Sequence, residues 1–140
     1  YVWYPQRAGR VDLVVERAQA LGVSNDPVIR QNIAVLLSFQ KMNEWTALRA
    51  RAARALGRPP GPEGSIGKLA ASEVSRMANR VHTLISGAHA MLQNGEHAHD
   101  ATIAEVLVST PAQSIAGGTD QIQRSIIGEK ILGLPRDASN

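Results

Sequence analysis

Residues 114–137 read "SIAGGTDQIQRSIIGEKILGLPRD", and the local chemistry of this stretch decides the fold class. Gly117 and Gly118 lack a Cβ, so the backbone there can enter conformations closed to other residues and let another molecule approach closely. Thr119 is a good N-cap, and Asp120 falls in the first turn, where negative charge suits the helix dipole. Ile122 and Ile126, then Ile127 and Ile131, repeat at one-turn spacing. Gly133 suits the left-handed position just past a helix, and Pro135 cannot continue one. The pattern predicts a helix opening at Thr119 and closing by Gly133. The same residues admit a functional reading: exposed amides, the Thr119 hydroxyl and the Gln121 amide could together hold a polar, anionic or heteroaromatic ligand. Plain helix capping explains them as well, and the residues alone leave both readings open.

Upstream, the pattern is helical throughout. Residues 7–22, "RAGRVDLVVERAQALG", place Val11, Val14, Val15, Ala18 and Leu21 on one broad face and predict one amphipathic helix ending at Gly22. Asp26 followed by Pro27 is the favoured order for a helix start, and the helix should run to about Leu56. It carries two apolar stripes, Ile29, Ile33, Leu36 and Leu37 on one side and Val28, Val35, Phe39, Met42 and Trp45 on another, which suits a bundle interior or a subunit interface. "GRPPGPEGS" (57–65) forbids a continuous helix, and Ser65 is the expected cap of the next one. That third helix carries Ile66, Leu69, Met77, Val81, Leu84, Ile85, Ala88 and Met91 as a core-facing seam. "QNGEHAHD" (93–100) reads as a polar turn, and "ATIAEVLVSTPAQ" (101–113) as a shorter helix ended by Pro111. The expected architecture is all-α, an antiparallel four-helix-bundle-like single domain spanning residues 1–140.

Composition agrees. The chain has 140 residues, of which 44% are hydrophobic, enough to bury a core without staples. With no Cys, disulfides and thiolate chemistry are excluded, which accords with an expected cytoplasmic setting. No apolar run approaches the roughly 20 residues of a membrane span, and the first residues lack an export signal. A net charge of +3 does not demand nucleic acid, and none is expected as partner. Because the chain opens on Tyr1, it is expected to be part of a longer protein.

Three motifs fail on their own chemistry. "GPEGSIGKLA" (61–70) has Pro62 where a phosphate loop needs glycine, and Leu69 follows Lys68 where Ser or Thr is required. "EHAHD" offers His97, His99 and Asp100 without a further ligand at metal spacing, so a solvated turn and no metal site is expected. His82 and His89 lie seven apart and should share a helix face as ordinary bundle or surface positions. Arg49, Arg51, Arg54 and Arg58 form either a solvated helix end or, as a rival function, a basic face of an interaction module for an acidic partner.

The stretch from Ser114 resembles the C-terminal signature of acyl-CoA dehydrogenases, and "DPVIRQNIA" and "GPEGSIGKLAASEVSRMANRV" resemble the second and third helices of that domain in bacterial branches. The resemblance implies the C-terminal helical domain of a flavoenzyme of lipid metabolism, with an N-terminal helical domain and a middle β domain outside this sequence. It implies an oxidoreductase that dehydrogenates an acyl-CoA thioester and passes electrons to an electron-transfer flavoprotein-type acceptor. It also implies bound FAD and assembly as a homo- or hetero-oligomer, a dimer or tetramer. Thr119 and Gln121 match the flavin-contacting Thr-x-Gln positions. Gly117 occupies the position of the glutamate base of many members; other branches carry that base on an earlier helix, which would lie upstream of Tyr1. An Arg-x-x-Phe-Gly stretch that many members use on the neighbouring subunit's FAD is replaced here by "ERAQALGVSNDP", and the glycine-rich turn after the third helix is degenerate in "LISGAHAML". These departures resemble members that pair two unlike subunits. One alternative is therefore a non-catalytic partner subunit.

Overall fold

The computed structural model describes residues 9–59, 61–92 and 99–136, and among them all regular structure is helical. A 3-10 turn, Val11–Leu13, leads into α1 (Val14–Ala20); α2 runs Pro27–Ala55 and α3 Glu63–Ser86. A second 3-10 turn, Gly87–Met91, follows α3, and α4 (Asp100–Gln113) and α5 (Asp120–Ile131) complete the chain. The expected all-α bundle is what the chain forms, with α3 at its centre: α1, α2, α4 and α5 all pack on α3.

The core is a single apolar cluster. Val11, Val14 and Ala18 meet Ile29 and Leu36 of α2 and Val74, Ala78, Val81 and Ile85 of α3. Small residues let the segments come close: a Cβ on Gly9, whose φ is +70°, would stand 2.7 Å from the Ala78 Cβ. The buried face of α3 is therefore Ser72, Val74, Ser75, Ala78, Val81, His82 and Ile85, with Leu69 and Met77 half-buried and Ile66 and Leu84 exposed. Ala88 and Met91, expected on the same seam, are exposed, because the helix ends where Gly87 turns to φ +53°. The 3-10 turn then breaks the helical phase. For the same reason His89 does not share a face with His82.

Polar groups of α3 satisfy the loose ends of α4. Pro111 lies inside α4 and does not end it. A proline has no N–H to give the carbonyl four residues back, here that of Leu107, and the Asn79 amide donates to that oxygen at 3.3 Å. Two residues further on, the Ser72 hydroxyl donates to the Gln113 carbonyl at 2.9 Å. The helix tolerates its proline because a neighbour supplies the missing donor.

Other expectations change in the same way. The first helix is preceded by a 3-10 turn, and Val15 faces outward. Asp26 caps α2, accepting from the Val28 and Ile29 amides at 2.8 and 2.9 Å, but α3 begins at Glu63, so Ser65 is an interior residue. Of the two stripes on α2 only one enters the core: Val28, Val35, Phe39, Met42 and Trp45 are exposed, as is Leu37 of the other. Of the residues expected in a solvated turn before α4, His99 is exposed and Asp100 departs from the expectation. His97 lies outside the described residues, but Asp100 is buried, and the Arg17 guanidinium reaches it at 2.9 Å and the Ser86 hydroxyl at 2.8 Å. This ion pair joins α1, the end of α3 and the start of α4.

His82 is fully buried, and its Nε2 lies 3.1 Å from the carbonyls of both Gly9 and Arg10, so Nε2 carries the proton and donates. Its Nδ1 is buried without a hydrogen-bond partner. Burial pushes its pKa below the ordinary 6.5, against the two carbonyls, which favour the charged ring.

Two outcomes follow from these buried groups. Arg17→Met leaves Asp100 buried without this guanidinium and is expected to lose about 3–5 kcal/mol of stability in urea denaturation. The unfolded His82 titrates near 6.5 and the folded one lower, so the folded state binds fewer protons in that window. Stability should be constant above neutrality and fall as pH drops below 6.5, with a slope of at most about 1.4 kcal/mol per pH unit from this residue. His82→Gln should flatten that slope, read from urea midpoints between neutral and mildly acidic pH.

Candidate functional site

The turn before α5 is built from the residues that opened the sequence. Ala116 N–H bonds the Ala112 carbonyl at 2.8 Å, prolonging α4 by a turn, and the chain then reverses through Gly117 at φ +71° and Gly118 at φ +95°. Both values lie where side chains are strained, which is why glycines stand here. A Cβ on Gly118 would come within 2.8 Å of the Gln123 amide nitrogen, whereas one on Gly117 would meet nothing within 4 Å. Gln123 also donates to the Gly117 carbonyl at 3.2 Å, strapping the turn to the first coil of α5.

Thr119 is the N-cap, as its sequence position predicts: extended backbone, and a hydroxyl that accepts from Ile122 N–H at 3.2 Å. It is half-buried, and Gln121 is exposed. At the far end Gly133 takes φ +64° and Leu134 N–H reaches the Gly128 carbonyl at 3.0 Å, closing the helix where expected.

The residue between Thr119 and Gln121 fixes the whole motif. Asp120 is buried, its Oδ1 2.6 Å from Lys68 Nζ and its Oδ2 2.7 Å from Arg76 Nη1. Its backbone N–H bonds the Ser114 carbonyl at 3.0 Å, and Arg76 Nη1 also donates to the Ser114 hydroxyl at 2.6 Å. Glu73, one turn before Arg76, accepts from the same guanidinium. Burial disfavours the charged carboxylate, but the hydrogen bonds from Lys68 and Arg76 outweigh it and hold the Asp120 carboxyl far below the usual range. The pair is therefore intact at all but strongly acid pH: its contribution is fully present above 3.8 and declines only as pH falls below that value.

Sequence reasoning assigned Asp120 to the helix dipole alone and weighed Lys68 only as a phosphate-loop lysine. A usable signal was present: Lys68, Ser72 and Arg76 recur every four residues, so one ridge of α3 carries three donors toward one place. The remaining candidates do not join this site. Arg49, Arg51 and Arg54 are exposed on the C-terminal half of α2 and Arg58 just beyond its end, and His99 is exposed beside α4. Among the described residues no group of three or more His, Cys, Asp or Glu could hold a metal ion, and no helix is long and apolar enough to cross a membrane. A cleft of about 400 Å³ between α2, α3 and α5 is lined by Phe39, Met42, Leu69 and Ile127 and shares Arg76 with the Asp120 cluster.

The helical fold and the glycine-threonine turn together define a domain type, and the chain belongs to the acyl-CoA dehydrogenase C-terminal domain family, which matches residues 10–132. Among individual proteins, it is 31% identical over 129 residues to acyl-CoA dehydrogenase IpdE1 of Mycolicibacterium smegmatis, covering 89% of this chain and 30% of that protein. It is 30% identical over 132 residues to acyl-CoA dehydrogenase IpdE1 of Mycobacterium tuberculosis, covering 89% of this chain and 31% of that protein. The chain thus spans under a third of the length of these relatives. No solved structure matches it.

Thr119→Ala removes the acceptor for Ile122 N–H and is expected to cost about 0.5–2 kcal/mol, with Thr119→Ser retaining most of the stability. Thermal unfolding of the two variants checks this.

Proposed function

We propose that this chain is the C-terminal helical domain of an FAD-dependent acyl-CoA dehydrogenase, with Thr119 and Gln121 in the flavin site. The carrying observation is that the family's signature falls on a turn that is rigidly tied yet presents its polar groups outward. The donor set fits the edge of a flavin. Thr119 uses an oxygen lone pair for its own helix and keeps its O–H to donate, and Gln121 offers both a donor and an acceptor. The glycine pair adds no side chain between them and a neighbour. When bound, FAD supplies the hydride acceptor for α,β-dehydrogenation of an acyl-CoA thioester, and an electron-transfer flavoprotein-type protein reoxidises it.

The chain's own carboxylates near this turn do not suit the proton abstraction. Asp120 is locked between Lys68 and Arg76 and is far too acidic to take a proton from carbon near neutral pH, Glu73 is held by Arg76, and Gly117 has no side chain. The base therefore comes from a segment outside these residues or from another subunit. This favours, as a second reading, a partner subunit that completes the site of an unlike copy. The exposed stripe of Val28, Val35, Phe39, Met42 and Trp45 on α2 supports subunit contact in either case.

The test is FAD content of the full-length protein, purified alone and together with any family subunit encoded beside it. Stoichiometric flavin in the protein alone, bleached by an acyl-CoA, supports a self-sufficient dehydrogenase; flavin only in the mixed complex supports the shared site. Absence of flavin from both overturns the proposal. Gln121→Ala is expected to weaken FAD binding about tenfold without changing the thermal midpoint, the effect of losing roughly one charge-free hydrogen-bonding side chain at a ligand.

A further inference from the structure

We infer that Asp120 is a positioning residue for the flavin site: through Lys68 and Arg76 it sets the orientation in which Thr119 and Gln121 are presented. This rests on the flavin reading of those two residues and adds how they are held. Successive residues of a helix point about 100° apart, so Asp120 driven inward at the first helical position turns Gln121 away from that direction, while Thr119, the extended N-cap joined to Asp120, is held by its hydroxyl's bond from Ile122 N–H. Asp120 is driven inward, only 4% exposed, while Gln121 on its far side is exposed and Thr119 on its near side is half-buried.

Rotation of α5 about its axis would move Thr119 and Gln121 across the surface, and apolar packing resists it weakly. Of the residues of α5, Asp120 is the one classed as buried; Ile126 and Ile127 are only half-buried, and Ile122 and Ile131 are exposed. What fixes the rotation is two-point attachment. The carboxylate gives one oxygen to Lys68 and the other to Arg76, eight residues apart on α3, so it cannot swivel about a single bond without breaking one of them. The same guanidinium holds the Ser114 hydroxyl, and the Asp120 amide holds the Ser114 carbonyl, so both ends of the 114–120 turn are tied to one point on α3. A merely stabilising ion pair would not need to clamp the turn at its start and its end. Two cations also neutralise the carboxylate, which leaves no net negative charge from Asp120 facing an anionic cofactor.

The experiment uses the full-length protein and FAD. Asp120→Asn keeps the shape and removes the charge; Lys68→Met removes one arm, and Lys68→Arg restores it. Arg17→Met, at the remote ion pair, is the control for general loss of stability. Expected are a rise in FAD Kd of about tenfold and a shift in the visible flavin spectrum for Asp120→Asn and Lys68→Met, with recovery toward wild type in Lys68→Arg. Amide exchange in residues 117–122 of the FAD-free protein should quicken about tenfold in the same two variants. Arg17→Met should lower stability yet leave Kd and spectrum unchanged. If Asp120→Asn fails to fold, Lys68→Met, in which Arg76 still holds Asp120, carries the measurement. Wild-type protein that binds FAD while Asp120→Asn and Lys68→Met bind it equally, with unchanged exchange in residues 117–122, overturns the inference and spares the flavin reading. Wild-type protein that takes no FAD overturns both.

Discussion

The structure depends on a carboxylate that should not, by transfer cost alone, be where it is. Burying Asp120 is unfavourable unless its charge is matched, and Lys68 and Arg76 match it at 2.6 and 2.7 Å. That requirement orders several residues at once. It sets the register of α5 on α3, it places the glycine turn at the surface, and it leaves Thr119 free to cap and Gln121 free to face outward. Capping by Thr119 would start a helix anywhere; the ion pair decides which way that helix faces.

The same logic runs along all of α3. Its apolar stripe is narrow and made largely of small or branched residues, Val74, Ala78, Val81 and Ile85, while its polar side chains finish the neighbouring segments. Asn79 and Ser72 satisfy carbonyls at the end of α4, Ser86 joins the Arg17–Asp100 pair, and His82 holds the carbonyls of Gly9 and Arg10. α1, α4 and α5 are thus each attached to α3 by at least one directional bond as well as by packing, whereas α2 meets α3 through apolar residues such as Ile29 and Leu36. Directional bonds specify one arrangement where packing of small side chains alone would tolerate several.

How much of this was legible in the sequence follows from how local each signal is. The caps of α2 and α5 depend on residues two or three apart, and Asp26, Pro27, Thr119 and Gly133 act as their positions predict. Pro111 was misread because its effect depends on Asn79, a residue 32 positions away on another helix that donates to the freed carbonyl. Asp100 and Arg17 are 83 residues apart, and hydropathy assigns both to the surface; only the pairing makes their burial possible. The candidate ligand residues, Thr119 and Gln121, were legible from the motif, but Asp120 between them was not, since its partners lie 44 and 52 residues upstream. The second stripe on α2 reads as suited to a bundle interior or a subunit interface, and it lies outside this chain's own core; periodicity reports that a face avoids water and not what covers it.

Two features of the chain then point in one direction. The turn that carries the family signature is rigid and outward-facing, yet the position many members use for a base holds Gly117, where a Cβ would meet nothing within 4 Å. The nearby carboxylates are committed to cations, so no small rearrangement of this domain converts one of them into a base without leaving Lys68 or Arg76 unmatched in a partly buried site. A long helix with an exposed apolar face lies on the same body. A domain whose Thr119–Gln121 turn is tied down by a buried ion pair, whose Asp120 and Glu73 are both engaged by cations, and whose α2 leaves an apolar face exposed is chemically suited to the proposed role of completing a site whose remaining parts come from elsewhere.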